Sequence, residues 1–246
     1  PGRMHDVETV YAAPPAGPGA APLARQVSSR LVQALDAHPG DALAFLPGAG
    51  EIRSVAEALQ AVLPADRCVV LPLYGDLAAA AQDAALQPDP QGRRKVILAT
   101  NIAETSLTID GVRIVVDAGL ERRQRFDPAT GMSRLETLRI SRASADQRRG
   151  RAGRTASGVC YRLWSESAHA ALLPQAPAEI LEADLAPLAL ELACWGATNP
   201  AELGWLDPPP AATLAQARDL LAKLEAVDAS GRVTPLGRDM AALGVH

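Results

Sequence analysis

The chain has 246 residues, of which 48% are hydrophobic and 21% charged, a composition typical of a globular protein with ample material for a core. No apolar run approaches the ~20 residues of a membrane span, and no charged-then-apolar signal peptide opens the sequence. We therefore expect a cytoplasmic protein that does not contact a membrane. The net charge of −4 argues weakly against a nucleic-acid partner until the charges are located.

The charges are distributed unevenly along the chain. Residues 93–154 carry 14 Lys and Arg against 7 Asp and Glu, which gives +7, whereas the remaining residues carry 10 against 21, which gives −11. A basic middle inside an acidic chain indicates a localised surface that faces anions. A solvated charged face would explain the charges alone equally well.

Cysteine spacing argues against a metal site. Cys68, Cys160 and Cys194 are widely separated and match neither a disulfide framework nor a CxxC metal pair, and the four histidines are also scattered. We expect three buried thiols and no bound zinc or haem.

The first third of the chain alternates short apolar runs with amphipathic stretches, the pattern of β-α units and a mostly parallel sheet. A Pro/Gly-rich loop is predicted at 13–22. Strands are predicted at 42–47, 68–73, 95–100 and 113–119, and helices at 51–63 and 76–86. The first of these helices places four apolar residues on one face: Ile52, Val55, Leu59 and Val62.

A β-hairpin is predicted between Arg122 and Ile140, because "DPATG" separates two segments of β character. Inserted into an α/β domain, such a hairpin would project from it and is a candidate for a partner or substrate contact. Residues 159–166 form the last predicted strand of this domain.

The composition changes near residue 168, where we place a domain boundary. Helical patterns at 177–196 and 213–243 surround a short wing-like hairpin at "DASGRVT" and predict a small helical domain. One helical stripe is expected to contain Leu214, Ala217, Leu221 and Leu224.

The stretch "SADQRRGRAGR" (144–154) contains four arginines, two glycines and no lysine. Ser144 and Gln147 fit a capping box that predicts a helix from Ala145. At ~100° per residue, Gln147, Arg151 and Arg154 share one face, whereas Arg148 and Arg149 point elsewhere and are interpreted as structural or solvent-facing. Guanidinium groups one turn apart suit a polyphosphate, and Gly150 and Gly153 allow another segment to approach closely. A basic helix that contacts RNA or DNA phosphates is the alternative, but it would mix lysine and arginine around the helix.

A second polar segment, "ATNIAETSLTIDG" (99–111), directly follows a predicted strand. Ligands bind beyond the carboxyl ends of strands in open α/β sheets, so we expect the polar side chains of this segment to lie there. They are Thr100, Asn101, Thr105, Ser106 and Thr108, and Asp110 follows them in the sequence. A loop rich in turn-forming residues is the structural alternative.

Several segments together resemble the second RecA-like domain of DEAH/RHA-type superfamily 2 RNA helicases, in the order and spacing of motifs IV, V and VI. They are "FLPGAGEI", "LYGDL", the stretch from "RKVILATNIAETSLTIDG" to "SADQRRGRAGR", and "GVCYRLWSE". The downstream "PAEILEADLAPLALEL", "WLDPPP" and "GRVTPLGRDMAAL" are similar to the winged-helix domain that follows in that family. The alanine-rich sequence looks most like the bacterial HrpB branch.

The resemblance implies an α/β fold with a RecA-like parallel sheet, helices on both faces and an inserted β-hairpin, followed by a small helical winged-helix domain. The two domains would span residues 1–167 and 168–246. The hairpin would correspond to the one that lies near the nucleic-acid duplex or its exit in this family.

The resemblance also implies site residues. Gln147, Arg151 and Arg154 match the motif VI residues that reach the ATP phosphates, with the arginines as catalytic fingers. Ser106, Thr108 and Asp110 match motif V positions that bind the nucleotide, with Asp110 towards the ribose, whereas Gly48, Thr100 and Asn101 match positions near the RNA backbone. Leu86 stands where many members carry a phenylalanine that stacks on adenine.

The sequence contains neither a GxxxxGK[ST] phosphate loop nor a DEAH stretch. Both lie on the first RecA-like domain in this family, which also binds most of the ATP and Mg²⁺. We therefore expect this chain to be the part that follows such a domain, to need it as a partner, to bind single-stranded RNA and to be inactive alone. The alternative is a non-catalytic nucleic-acid-binding or regulatory module with a helicase fold.

Overall fold

A computed structural model describes residues 5–12, 22–105, 109–127, 130–197 and 202–243. The chain divides into two compact units, of which the first comprises Pro1–Arg122 and Thr137–Ala176. The second comprises Arg123–Glu136 and Pro177–His246. The predicted domain boundary after residue 167 stays a prediction.

The first unit is built on a sheet of six strands in which all neighbours run parallel. In chain order these strands are β1 (Val7–Tyr11), β2 (Asp41–Phe45), β3 (Cys68–Leu73), β4 (Arg94–Ala99), β5 (Val112–Asp117) and β8 (Gly158–Arg162). Between β5 and β8 the chain forms a separate hairpin of two strands, β6 (Leu120–Asp127) and β7 (Met132–Arg139). The order of the six strands across the sheet is β1-β8-β5-β2-β4-β3. We call the edge formed by the first residues of these strands the amino edge and the opposite one the carboxyl edge.

Helices cover both faces of this sheet, as the sequence predicts. They are α1 (Leu23–Ala37), α2 (Ala49–Gln60), α3 (Ala79–Leu86), α4 (Arg142–Gly150) and α5 (Glu166–Ala170), and a 3-10 turn at Arg151–Gly153 follows α4. Leu31 of α1 and Val55 of α2 share one buried cluster with Ala44 of β2. On the other face, Ala85 of α3 is buried in a cluster with Phe45.

Three strands and helices of the first unit were not predicted, namely β1, α1 and the short helix α5. Helix α1 does carry a helical pattern, since Val27, Leu31, Ala34 and Leu35 are buried at spacings of four, three and one. Strand β1 is short, and only its parallel pairing with β8 reveals it. Residues 13–21 of the predicted N-terminal loop lie outside the described part of the chain.

Two helical stripes are shorter than predicted because their helices end early. Helix α2 ends at Gln60, so Val62 lies beyond it and is 63% exposed. In the second unit, α7 (Ala211–Lys223) ends before Leu224, which is exposed although Leu214, Ala217 and Leu221 are buried.

The second unit packs short helices around its own core. The predicted helix 177–196 is instead a 3-10 turn at Glu179–Leu181 followed by α6 (Ala186–Cys194), with Asp184 accepting a hydrogen bond from the Ala186 amide at 2.9 Å. A core cluster joins α6 and α7, and partly buried residues of α8 (Pro235–Leu243) pack against it. The short hairpin is confirmed as an antiparallel bridge between Val227 and Val233.

The outer part of the hairpin β6–β7 belongs to this second unit. The Arg123 guanidinium lies 3.2 Å from the Glu182 carboxylate, and the Phe126 amide donates to the Glu182 carbonyl at 3.0 Å. The Thr130 hydroxyl donates to Asp127 at 2.9 Å beside the turn.

The prediction that all three cysteines are buried is wrong for two of them. Cys160 lies in the central strand β8 and is buried, and this burial raises the pKa of its thiol to about 12. Cys68 is half-buried because it begins β3, which lies at the margin of the sheet. Cys194 is exposed at the last residue of α6.

Candidate functional site

The arginine-rich segment forms α4 and the 3-10 turn after it. Ser141 caps α4, because its hydroxyl accepts a hydrogen bond from the Ser144 amide at 3.1 Å. The predicted helix start at Ala145, with Ser144 as cap, is therefore wrong by one turn. The Ser144 hydroxyl instead donates a hydrogen bond to the Glu104 carboxylate at 2.9 Å.

The helical face predicted for Gln147, Arg151 and Arg154 is only partly formed. The α-helix ends at Gly150 and the chain tightens into a 3-10 turn, so a constant step of ~100° no longer applies at Arg154. Gln147 and Arg154 are exposed, whereas Arg151 is only 3% exposed.

Arg151 and Arg154 nevertheless lie close enough for their charges to interact. Burial and, to a smaller extent, the positive charge of Arg154 lower the pKa of Arg151 to about 10, although the Glu104 carboxylate opposes the shift. Since a pKa of about 10 keeps the guanidinium protonated at neutral pH, the turn holds two neighbouring positive charges. Such a pair favours a ligand with several negative charges.

Arg148 is buried and ion-paired, which fits the structural and not the solvent-facing interpretation from the sequence. Its guanidinium donates to Glu104 Oε1 at 2.6 Å and to Asp117 Oδ1 at 2.9 Å, and it stacks over the Phe45 ring at 4.9 Å. Only 1% of its side chain is exposed. Burial acts to lower the pKa of Arg148, but the two carboxylates outweigh it, so that the pKa is raised above its ordinary value.

The turn after α4 lies at the amino edge of the sheet. The Gly153 carbonyl accepts a hydrogen bond from the His5 amide at 2.9 Å, just before β1 begins. A Cβ at Gly153 would lie 2.6 Å from the His5 carbonyl oxygen, so glycine is required for this close approach. The sequence predicts such an approach at both Gly150 and Gly153, and the structure shows it at Gly153.

Asp110 lies at the same amino edge, because β5 begins two residues after it at Val112. It is exposed and immediately precedes Gly111, whose carbonyl accepts a hydrogen bond from the amide of Asp41, the first residue of β2. Residues 99–101 and 109–111 therefore lie at opposite edges of the sheet. Buried Ile109 shares a cluster with Ala152, which places the segment beside the arginine turn.

Gly48, Thr100 and Asn101 lie at the carboxyl edge. Gly48 follows β2 and forms the N-cap of α2, whereas Thr100 and Asn101 follow the neighbouring strand β4. Gly48 is buried, Thr100 is half-buried and Asn101 is exposed.

Arg122 also lies at this edge, although sequence reasoning did not select it. A Cβ at Gly48 would lie 2.7 Å from Arg122 Nη1, and Arg122 Nη2 donates to Glu51 Oε1 at 3.0 Å. Arg122 is one of many arginines in the basic middle, and no local pattern connects it with a glycine 74 positions earlier.

Ser106 and Thr108 lie outside the described residues. Leu86 ends α3 and is half-buried against the second core cluster.

Glu104 and Asp117 were missed as site residues, because a single carboxylate in a motif carries no sequence signal of its partner.

Within the described residues, no group of three or more His, Cys, Asp or Glu side chains could hold a metal ion. Nor does any described helix have the length and apolar character needed to cross a membrane.

Comparisons with known proteins identify two related domains in this chain. Residues 26–156 match the helicase conserved C-terminal domain, and residues 217–245 match the helicase associated domain (HA2), winged-helix. ATP-dependent RNA helicase HrpB of Escherichia coli (strain K12) is 48% identical over 205 residues, which cover 83% of this chain and 25% of that protein. Pre-mRNA-splicing factor ATP-dependent RNA helicase prp22 of Schizosaccharomyces pombe is 41% identical over 251 residues, covering 98% of this chain and 21% of that protein.

The fold is also similar to a solved structure. The crystal structure of Escherichia coli DEAH/RHA helicase HrpB is 44% identical, with a TM-score of 0.91, over 100% of this chain and 31% of that one. The chain thus spans about a quarter of the length of the curated relatives it matches. The RecA-like fold, the winged-helix part and the resemblance to DEAH/RHA helicases are confirmed. Because the first match covers more than half of the 246 residues, the chain belongs to the helicase conserved C-terminal domain family.

Proposed function

We propose that this chain is the second RecA-like and winged-helix part of an ATP-dependent RNA helicase. One observation carries the proposal: the two sets of expected site residues lie at opposite edges of one rigid sheet. Asp110, Arg151 and Arg154 are at the amino edge, which we assign to the nucleotide. Asn101 and Gly48 are at the carboxyl edge, which we assign to RNA.

At the amino edge, the chain supplies positive charge to the ATP phosphates. Arg151 and Arg154 repel each other, so a polyphosphate between them would relieve that repulsion and be held by both guanidinium groups. They would stabilise the charge that develops as the terminal phosphoryl group is transferred to water. The exposed amide of Gln147 would add one hydrogen bond to the nucleotide or to the attacking water.

ATP is used together with Mg²⁺ in phosphoryl transfer, where the metal neutralises phosphate charge. The described residues do not fit this ion, because they contain no suitable group of carboxylates, cysteines or histidines. We therefore derive no metal-bound step for this chain. Ser106 and Thr108 remain proposed nucleotide ligands.

At the carboxyl edge, the proposed ligand is the backbone of single-stranded RNA. Thr100 and Asn101 offer hydrogen-bond donors there, and Arg122 adds a positive charge that is 40% exposed. Only 3% of the residues are aromatic, so contacts to phosphates rather than base stacking are expected to dominate, with strong salt dependence.

We further propose that a first RecA-like domain of the same protein completes the nucleotide site. The 246 residues contain neither a GxxxxGK[ST] phosphate loop nor a DEAH stretch, and the chain matches only 25% and 21% of the length of these two relatives. Cytoplasmic localisation also stays a prediction.

A pair of substitutions in the full-length protein tests the two edges separately. Arg154→Ala should lower the kcat of RNA-stimulated ATP hydrolysis and leave the Kd for single-stranded RNA within about twofold. Asn101→Ala should weaken RNA binding, and saturating RNA should restore most of kcat. Arg142→Ala, at an exposed position of α4, is the control and should change neither quantity. A wild-type protein that binds RNA without hydrolysing ATP would favour the non-catalytic module instead.

A further inference from the structure

We infer that Glu104 is a positioning residue that connects the RNA-facing loop with the arginine that faces ATP. This inference rests on the proposed function and goes beyond it, because it names a residue through which RNA binding would control hydrolysis. Glu104 belongs to neither set of expected ligands.

The first part of the connection is the attachment of Glu104 to the RNA-facing loop. Asn101–Ala103 forms a 3-10 turn directly after β4, and the Glu104 amide donates to the Asn101 carbonyl at 2.9 Å. Ala103 is fully buried in the sheet's second core cluster. A displacement of Asn101 by RNA would therefore be transmitted to Glu104 through a closed turn and not through a loose loop.

The second part is the attachment of Glu104 to α4. Its Oε1 accepts hydrogen bonds from Ser144 at 2.9 Å and from Arg148 at 2.6 Å. The Glu104 side chain is 13% exposed and the Arg148 side chain 1%, so solvent screens this ion pair weakly. The two contacts lie one turn apart on α4 and thus fix the helix in orientation as well as in position.

The third part leads from α4 to the proposed finger. Arg151 follows Arg148 by three residues, so that it lies one turn further along the same continuous helical segment. The Glu104 carboxylate also partly opposes the lowering of the Arg151 pKa, which places its charge within electrostatic range of that guanidinium. Moving Glu104 would therefore change both the position and the electrostatic environment of Arg151.

The test measures ATP hydrolysis by the full-length protein with and without single-stranded oligo(U) RNA. For Glu104→Gln, the ratio of RNA-stimulated to basal kcat should fall by about fivefold or more, the lower range of coupling between two binding sites. The KM for ATP and the half-saturating RNA concentration should each change by less than about threefold. A ratio equal to that of wild type, or one that saturating RNA restores, would overturn the inference.

Asp117→Asn separates positioning from a purely structural role. Asp117 binds the same guanidinium from β5, and within the described residues its carboxylate accepts hydrogen bonds from Arg148 and from the Gly119 amide. If the contacts of Glu104 and Asp117 with Arg148 served stability alone, both variants would lose RNA stimulation of ATP hydrolysis in proportion to their loss of thermal stability. If Glu104 positions Arg151, Glu104→Gln should lose more stimulation than Asp117→Asn at equal stability.

Ser144→Ala keeps the test decisive if the substitution at Glu104 impairs folding. It removes one hydrogen bond to the same carboxylate from a half-buried residue. The stimulation ratio should fall by about twofold or more with a small change in Tm, and an unchanged ratio would refute the inference. A wild-type protein without any RNA-stimulated hydrolysis would instead refute the proposed function, so the two failures are distinguishable.

Discussion

The Arg148 guanidinium donates to the Asp117 carboxylate at 2.9 Å, and both side chains are almost completely buried. This ion pair connects α4 to the end of β5, and Glu104 adds a second carboxylate to the same guanidinium. A buried arginine between two carboxylates is costly to break, because either carboxylate would then lack its counter-charge.

Arg148→Met should therefore lower the free energy of unfolding of the 246-residue chain by about 3–5 kcal/mol, because it leaves Asp117 and Glu104 as uncompensated charges. Urea denaturation followed by circular dichroism would measure the change. Arg142→Met, at an exposed position of the same helix, should change stability by less than about 0.5 kcal/mol. Equal losses in the two variants would show that the buried ion pairs are not responsible.

Gly153→Ala should destabilise the amino edge. The new Cβ would lie 2.6 Å from both the His5 carbonyl oxygen and Val7 Cγ2, so β1 must shift, at a cost of about 1–3 kcal/mol. Gly50→Ala is the matched control, because no heavy atom lies within 4 Å of its Cβ position in the first turn of α2. That control should keep or raise Tm, and a Gly153→Ala chain as stable as wild type would contradict the close packing described here.

Arg151→Lys should give activity that depends on pH. The burial and the Arg154 charge that lower the pKa of Arg151 to about 10 would lower the pKa of an ammonium at this position below its usual ~10.4. A cation with a lowered pKa loses its charge as pH rises, so the variant's kcat relative to wild type should fall between about pH 7 and about pH 9. The kcat of the full-length protein measured across this range would test it. A constant ratio would mean that Arg151 does not lie in an environment that disfavours positive charge.

Much of the fold could be predicted from the sequence because periodicity is a local property. The strand at Cys68–Leu73 was predicted with its observed bounds, and the strand around Arg94–Ala99 was displaced by one residue. Helix α1 was missed although its apolar spacing is helical, whereas strand β1 and the end of α2 depend on tertiary structure. Strand β1 is defined by its partner β8, and α2 stops at Gln60 although its apolar pattern continues to Val62.

The candidate site was less predictable than the fold. Face geometry separated Arg148 from Arg151, but it could not foresee the 3-10 turn that buries Arg151 and leaves Arg154 exposed. The contacts of Glu104 with Ser144 and Arg148 span 40 and 44 positions. Pairings over such distances follow from the order of strands in the sheet and leave no trace in local sequence.

The central claim is that Arg151 stabilises the transferred phosphoryl group of ATP. The most direct measurement is the kcat of ATP hydrolysis by the full-length protein at saturating ATP and single-stranded RNA, compared between Arg151→Ala and Arg142→Ala. We predict a loss of about a thousandfold or more for Arg151→Ala, as expected for an arginine finger, with RNA binding retained, and less than about a twofold change for Arg142→Ala. A kcat for Arg151→Ala within about tenfold of wild type would contradict the account.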